Sequence, residues 1–363
     1  MSSGVEFANL RSRIILSRSF QRQSVIPRRK PFDFMVNFFK WYENTVLRVD
    51  TSNIKIDRPI FLLGLPRSGT TMLQDLICAY PDIAYITNTM HSFRYALVGM
   101  EDLRKRLGLD FKGERYLADS VDVSPGSPNE GHLLFTDWAN LDIYSLDWPE
   151  LRIEDFTPEQ IEEGRELIRR VLWCFGGENK RFFNKNPAHA TFFTLLKDIY
   201  PDAKFIHLVR DARMCANSMV KLYRLSMEQE SKLASEFGTR IADTRPFVPF
   251  PRLPRLPEYM EKYGGDDLRT TARLWSDAID YIHAHRDGIE HFYEVRYEDI
   301  LADPIVEVGK ILDFCELPEL QDRNTEFWQK LNQIGVVNHK NKYGDFDLIE
   351  DICRDNMLKY GYL

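Results

Sequence analysis

From residue 58 onward, short unbroken apolar runs alternate with longer stretches in which apolar positions recur every three or four residues. The run "RPIFLLG" at 58–64 predicts a strand buried on both faces that ends at Gly64. "RFFNK" at 181–185, "KFIHLV" at 204–209 and "FYEVRY" at 292–297 predict three more. Helical spacing fills the intervals, from about Thr70 to Tyr80, around His189 to Tyr200, and from Trp275 to His285. Thr157, Pro158 and Gln160 form a cap, a first helical position and a capping box for a helix running to about Phe175. Asp303 and Pro304 open another through Phe314. Strand and helix in alternation predict an α/β fold with a mostly parallel central sheet flanked by helices.

One stretch breaks the pattern. Residues 246–257, "PFVPFPRLPRLP", hold five prolines, which excludes a central strand or a helix interior and predicts a loop or lid. At about 150 residues per domain the 363-residue chain has room for two domains. With no internal repeat and no long low-complexity tract, the expected organisation is a basic N-terminal arm and helix over 1–50 and a single domain over 51–363.

Composition narrows the function. The apolar runs fall far short of the roughly 18 residues of a membrane-spanning helix. A net charge of -7 has the wrong sign for a protein whose main task is to grip nucleic acid. The five cysteines, odd in number and without C-x-x-C, indicate neither a disulfide framework nor a zinc site, which makes the reducing cytoplasm the expected compartment. Charge is uneven, however. The first forty residues carry eight basic and two acidic side chains, a net +6 that leaves -13 for the rest. Such a stretch, running into the aromatic segment Phe32 to Tyr42, is a solvated arm before an ordinary amphipathic helix, a segment that touches an anionic membrane surface, or an Arg-rich organelle address.

The chemistry concentrates in "FLLGLPRSGTTML", residues 61–73, where a strand runs through a glycine-bounded turn into a helix. Such a turn aims backbone N–H groups and the positive helix end at one anion. Gly64 and Gly69 have the spacing of a phosphate-cradling loop, but Thr70 stands where nucleoside triphosphatases carry a lysine. That substitution argues against ATP or GTP hydrolysis. Arg67, Ser68, Thr70 and Thr71 instead offer a guanidinium and hydroxyls to a smaller anionic group. A second strand–turn–helix segment, "FIHLVRDARMCANSMVKLY" at 205–223, sends Arg210 out of the strand's carboxyl end with Ser218 eight residues later.

Together, in this order, the two segments resemble the sulfotransferases that use 3′-phosphoadenosine 5′-phosphosulfate (PAPS). In that family a P-[KR]-S-G-T-[TS] loop binds the 5′-phosphosulfate, and Pro66-Arg67-Ser68-Gly69-Thr70-Thr71 matches it. An arginine and a serine eight residues apart bind the 3′-phosphate, matched by Arg210 and Ser218. Residues 184–213 and 295–304 look like the neighbouring regions of the larger, mostly bacterial-type branch. The resemblance implies a P-loop NTPase-like sulfotransferase fold, PAPS as co-substrate and no metal. It also implies a sulfuryl-stabilising role for Lys185, with Arg67 as a cation at the leaving phosphate, and a late basic loop in which Lys340 and Lys342 reach the 3′-phosphate.

The general base stays open at this level. Where the well-known cytosolic branch has its histidine, this chain has Pro187. Glu130, His132, His189 and His91 remain as candidates, with Glu130 first because similar branch members carry an acidic residue after a proline, and His189 second. The aromatic content of the surrounding segments and the Pro-rich stretch favour an aromatic, lipidic or other small-molecule alcohol as acceptor. Two other readings stay in view: a P-loop phosphotransferase, and an idle nucleotide-binding scaffold of the same fold.

Overall fold

The computed structural model describes residues 6–14, 33–114, 121–177, 179–237, 248–335 and 343–363. Its centre is a five-stranded sheet formed by β1 (Ile60–Leu63), β2 (Ile83–Ala84), β3 (Arg181–Lys185), β4 (Lys204–Val209) and β5 (Phe292–Arg296). The spatial order is β2-β3-β1-β4-β5 and every pairing is parallel. In register, Leu62 of β1 lies between Lys185 of β3 and Ile206 of β4. The helices used below are α1 (Asp33–Trp41), α2 (Thr70–Ile77), α3 (Leu97–Leu107), α4 (His132–Trp138), α5 (Pro158–Cys174), α6 (His189–Ile199), α7 (Ala212–Phe237), α8 (Leu256–Tyr263), α9 (Leu268–His285), α10 (Pro304–Phe314) and α11 (Phe346–Lys359).

The unbroken apolar character of the strands follows from burial on both faces. Phe61, Leu63, Phe182 and Phe205 point into one core with Ile168 and Leu172 of α5 and Phe193 and Leu196 of α6. Ile60, Leu62, Phe183, Ile206 and Leu208 point the other way, onto Leu73 and Leu76 of α2 and Val308 and Ile311 of α10. A third cluster packs α7, α9 and α11 around Trp275, Ile279 and Met357. The Thr157–Gln160 capping box forms as predicted, and Asp303 caps α10 by accepting from the Val306 N–H.

Element boundaries differ in three places. The first predicted helix stops at Ile77 rather than Tyr80, and α9 begins at Leu268, well before Trp275, because Asp267 caps it. The Pro-rich stretch gives way to α8 at Leu256, where Pro257 sits in the first helical turn and has no N–H to lose. Before it, residues 248–253 are packed inward, with Val248, Phe250, Arg252 and Leu253 all buried, a fixed wall rather than an open lid. A small antiparallel sheet joins Glu6–Phe7, Phe111–Glu114 and Asp122–Val123. Among the described residues no helix is long and apolar enough to cross a membrane.

A polar knot ties the sheet edge to the C-terminal helix. Glu294 Oε2 of β5 is 2.8 Å from His207 Nδ1 on β4, 3.0 Å from His283 Nε2 on α9 and 2.8 Å from the Tyr360 hydroxyl after α11. Burial pushes the Glu294 carboxyl up, but these partners outweigh it and bring it down to about 2. Its contribution is therefore present above the unfolded value near pH 4 and is lost as the pH falls towards about 2. Glu294→Gln is expected to lower unfolding free energy by about 2 kcal/mol near neutral pH, with the gap to the parent protein narrowing below about pH 4. Urea denaturation across that range checks it.

Candidate active site

The carboxyl ends of β1, β3 and β4 lie side by side, and the loop after each carries one part of the site. After β1 the chain turns tightly. A Cβ on Gly64 would stand 2.7 Å from Thr70 Cγ2 and 2.9 Å from the Leu208 carbonyl, and Gly69, at φ 96°, has no room for one beside the Tyr297 ring. Arg67 itself adopts φ 72°, a left-handed conformation uncommon for an arginine. The Ser68 hydroxyl and N–H both donate to the Leu65 carbonyl, closing the turn. The first N–H groups of α2, which have no acceptor within the helix, follow at Thr70 and Thr71.

Arg210 and Ser218, more than 140 residues away in sequence, come to this loop. Arg67 Nε donates to Ser218 Oγ at 2.9 Å, and Arg210 Nη1 donates to the Arg67 carbonyl at 3.0 Å. The Arg210 guanidinium lies 4.5 Å over the Tyr297 ring, and its backbone carbonyl accepts from Trp275 Nε1 at 2.9 Å. Its Nε is buried with no hydrogen-bond partner. An orphaned cationic N–H beside a glycine cradle fits an oxyanion ligand. Tyr297 ends the run predicted as a strand over 292–297, and its position at the end of β5, next to the end of β4, places it over Arg210.

The third part is built at the end of β3. Lys185, opposite Leu62 of β1, is buried and its Nζ pairs with Glu130 Oε1. Glu130 sits on the loop before α4, and its other oxygen is 2.6 Å from His132 Nε2. Asn184 and Asn186 flank Lys185 and donate from their amides to the Glu130 carbonyl at 3.3 and 3.2 Å. Burial alone would push the Glu130 carboxyl up, but the Lys185 cation and the His132 hydrogen bond hold it well below the usual carboxylate range. The His132 ring stacks on Phe250, centroids 4.6 Å apart, and its Nδ1 is buried without a partner. The guanidinium of buried Arg252 covers the Phe250 ring at 3.9 Å and donates to the carbonyls of Ile143 and Ser145. The Pro-rich wall thus stands directly against the Glu130–His132 pair.

His189 does not join these residues at an open surface. It is wholly buried at the start of α6, edge-on to Phe61 and Phe135 at 5.4 and 5.2 Å, with Nε2 2.6 Å from Asn184 Oδ1. Burial, followed by the field of His132, lowers its pKa to about 3. It is a neutral ring that orients Asn184, which in turn holds the Glu130 backbone. His91 is taken up at the start of α4, where Nε2 accepts from the Leu133 N–H. Lys340 and Lys342 lie outside the described residues.

The family model described as the sulfotransferase family matches residues 59–245 and 253–322, which span all three parts of this site. The chain belongs to the sulfotransferase family. It is accordingly a PAPS-dependent transferase that moves a sulfuryl group to a hydroxyl. Omega-hydroxy-beta-dihydromenaquinone-9 sulfotransferase Stf3 of Mycobacterium bovis is 23% identical over 316 residues, 77% of this chain and 70% of that protein. Protein-tyrosine sulfotransferase A of Caenorhabditis elegans is 20% identical over 281 residues, 77% of this chain and 55% of that one. Among solved structures, sulfotransferase STF9 of Mycobacterium avium aligns with a TM-score of 0.54 at 16% identity, covering 97% of this chain and 86% of that one. STF1 of Mycobacterium tuberculosis aligns at 0.51 and 16%, over 89% and 84%. These two show the shared sulfotransferase fold.

The buried His189 gives the sulfotransferase a defined pH response. Because its folded pKa lies below the unfolded value near 6.5, the unfolded chain takes up a proton first as pH falls, and stability drops from about pH 6.5 downward. The loss at pH 5 amounts to about 2 kcal/mol relative to neutral pH. His189→Gln is expected to remove that part of the slope, as measured by urea denaturation at the two pH values.

Proposed function

We propose that this sulfotransferase sulfates an apolar alcohol, lipidic or aromatic, with Glu130 as general base and Lys185 and Arg67 as the cations that stabilise charge in the transfer. The observation that carries the reading is the contact of Lys185 with Glu130 at the strand ends, one strand from the Arg67 loop and against the Phe250 wall. PAPS supplies the sulfuryl group, whose bond to the phosphate oxygen breaks as the acceptor oxygen bonds to sulfur. In the proposal Ser68, Gly69, Thr70, Thr71 and Arg67 hold the 5′ end, and Arg210 and Ser218 the 3′-phosphate. Lys340 and Lys342, which lie outside the described residues, are assigned to the 3′-phosphate by the family resemblance alone. No metal enters the scheme.

Glu130 takes the acceptor's proton as the new bond forms. Its pairing with Lys185 depresses its basicity in the absence of donor. Lys185, once turned to donor oxygens, no longer holds the Glu130 carboxyl down, so donor binding and base activation are coupled. His132, bonded to the second carboxylate oxygen, keeps that carboxylate oriented. The apolar acceptor class is supported by Phe250, stacked on the His132 that bonds Glu130, and by the lipidic alcohol in the name of the mycobacterial relative.

Transfer from 35S-labelled PAPS to a panel of long-chain alcohols, phenols and anionic sugars tests this. Lys185→Ala and Glu130→Gln are each expected to lower kcat by about 10²-fold to 10³-fold. Wild-type turnover in both variants would overturn the assignment, and turnover of anionic sugars alone would overturn the acceptor class.

A further inference from the structure

α11 ends in a motif that turns the chain back towards the sheet. Gly361 adopts φ 70°. Its N–H bonds to the Leu358 carbonyl at 3.1 Å, and the Tyr362 N–H bonds to that of Met357 at 2.9 Å, the two bonds of a Schellman cap. The sequence "KYGYL" carries this reversal locally, because the left-handed position falls on a glycine. The reversal lays Tyr362 against the end of β5. There the Arg296 guanidinium lies 5.0 Å over the Tyr362 ring, and Arg296 Nη1 donates to the Tyr360 carbonyl at 2.8 Å.

From Tyr362 two paths lead to the turn that carries Arg210. Its hydroxyl donates to Glu298 Oε2 at 2.8 Å, and Glu298 Oε1 accepts from the Asp211 N–H at 3.2 Å. Burial first, and the Glu298 carboxylate second, push the Tyr362 hydroxyl well above its ordinary value, so it stays protonated and donates. Along the second path the Tyr362 carbonyl accepts from Arg213 Nη2 at 3.2 Å. The same guanidinium forks onto the Asp211 carboxylate, with Nη2 2.6 Å from Oδ2 and Nε 3.0 Å from Oδ1, while its Nη1 donates to Glu350 of α11 at 2.8 Å. Asp211 directly follows Arg210 and precedes α7, the helix of Ser218. The peptide group between Arg210 and Asp211 is therefore gripped at both ends, its carbonyl by Trp275 Nε1 and its N–H by Glu298.

We propose that Tyr362 is a positioning residue for the donor site: through Glu298 and Arg213 it fixes the Arg210–Asp211 peptide, and with it the guanidinium that meets the 3′-phosphate. The inference rests on the assignment of Arg210 to that phosphate. A charge-assisted contact between guanidinium and phosphate depends on direction as well as distance, so a turn free to shift loses the ligand before it loses the fold. The fork from Arg213 serves the same end by neutralising a carboxylate one residue from Arg210, which would otherwise repel the phosphate. Tyr362 acts on the nucleotide only through these residues, and its effect is confined to the 3′ end.

Calorimetric titration with adenosine 3′,5′-bisphosphate, and with adenosine 5′-monophosphate, which lacks the 3′ group, tests the proposal. Tyr362→Phe, which keeps the ring and the carbonyl, is expected to weaken bisphosphate binding about fivefold and Glu298→Ala about tenfold, with monophosphate affinity within about twofold of wild type in both. Glu298→Gln, whose amide oxygen still accepts from the Asp211 N–H, is expected to recover most of the loss. In an Arg210→Ala background Tyr362→Phe is expected to cost nothing further, because the two act on one contact. Equal loss for both nucleotides in Tyr362→Phe would make the residue a support of the fold at large and overturn the proposal. So would wild-type bisphosphate affinity in Tyr362→Phe and Glu298→Ala where Arg210→Ala has lost it. Wild-type affinity in Arg210→Ala itself would bring down the 3′-phosphate assignment, and this inference with it.

Discussion

The hydrogen bond from Arg67 to Ser218, with that from Arg210 back to the Arg67 carbonyl, joins the loop after β1 to the turn and helix that follow the neighbouring strand β4. It places two guanidinium groups at one sheet edge, with the positive end of α2 between the strands. Like charges so placed repel, and an anion relieves the repulsion. The local backbone serves this arrangement: Arg67 is held in a left-handed conformation, Gly64 and Gly69 leave no space for a side chain, and Tyr297 covers both Gly69 and Arg210. The same sheet edge delivers Lys185 from the strand on the other side of β1.

A second constraint governs the reacting side. Glu130 is gripped by three consecutive residues at the end of β3, through its carbonyl by Asn184 and Asn186 and through its carboxylate by Lys185. His189 stands behind Asn184, and Phe250 behind His132, so two of the polar groups in contact with Glu130 are themselves backed by the core. Glu130, the proposed base, is thereby positioned by packing that extends from the sheet to the Pro-rich wall, with Lys185 beside it holding its proton affinity down.

Much of this was legible in the chain because its signals are local. Strands buried on both faces are unbroken apolar runs, so β1, β3 and β4 stand out, and a glycine-bounded loop between a strand and a helix carries its own geometry. The resemblance to PAPS-dependent sulfotransferases rests on these same local segments. What sequence left open depends on distant contacts. Nothing near Glu130 announces that a lysine 55 residues later will pair with it. His189 follows a motif lysine closely enough to look catalytic, yet the helix it begins turns its ring beneath Phe61. The start of α9 was missed because its first turn is polar and is fixed by Asp267, and Tyr297 acquires its place over Arg210 only through the pairing of β4 with β5.

The proposed site joins the Arg67 loop and the Arg210–Ser218 pair around one nucleotide bearing phosphates at both its 3′ and 5′ positions. Calorimetric titration with adenosine 3′,5′-bisphosphate in EDTA tests it most directly, alongside the Arg210→Ala, Ser218→Ala double variant and a parallel titration with ATP and magnesium. Tight, metal-independent binding of the bisphosphate that the double variant loses is expected. No bisphosphate binding, with magnesium-dependent binding of ATP in its place, would contradict it.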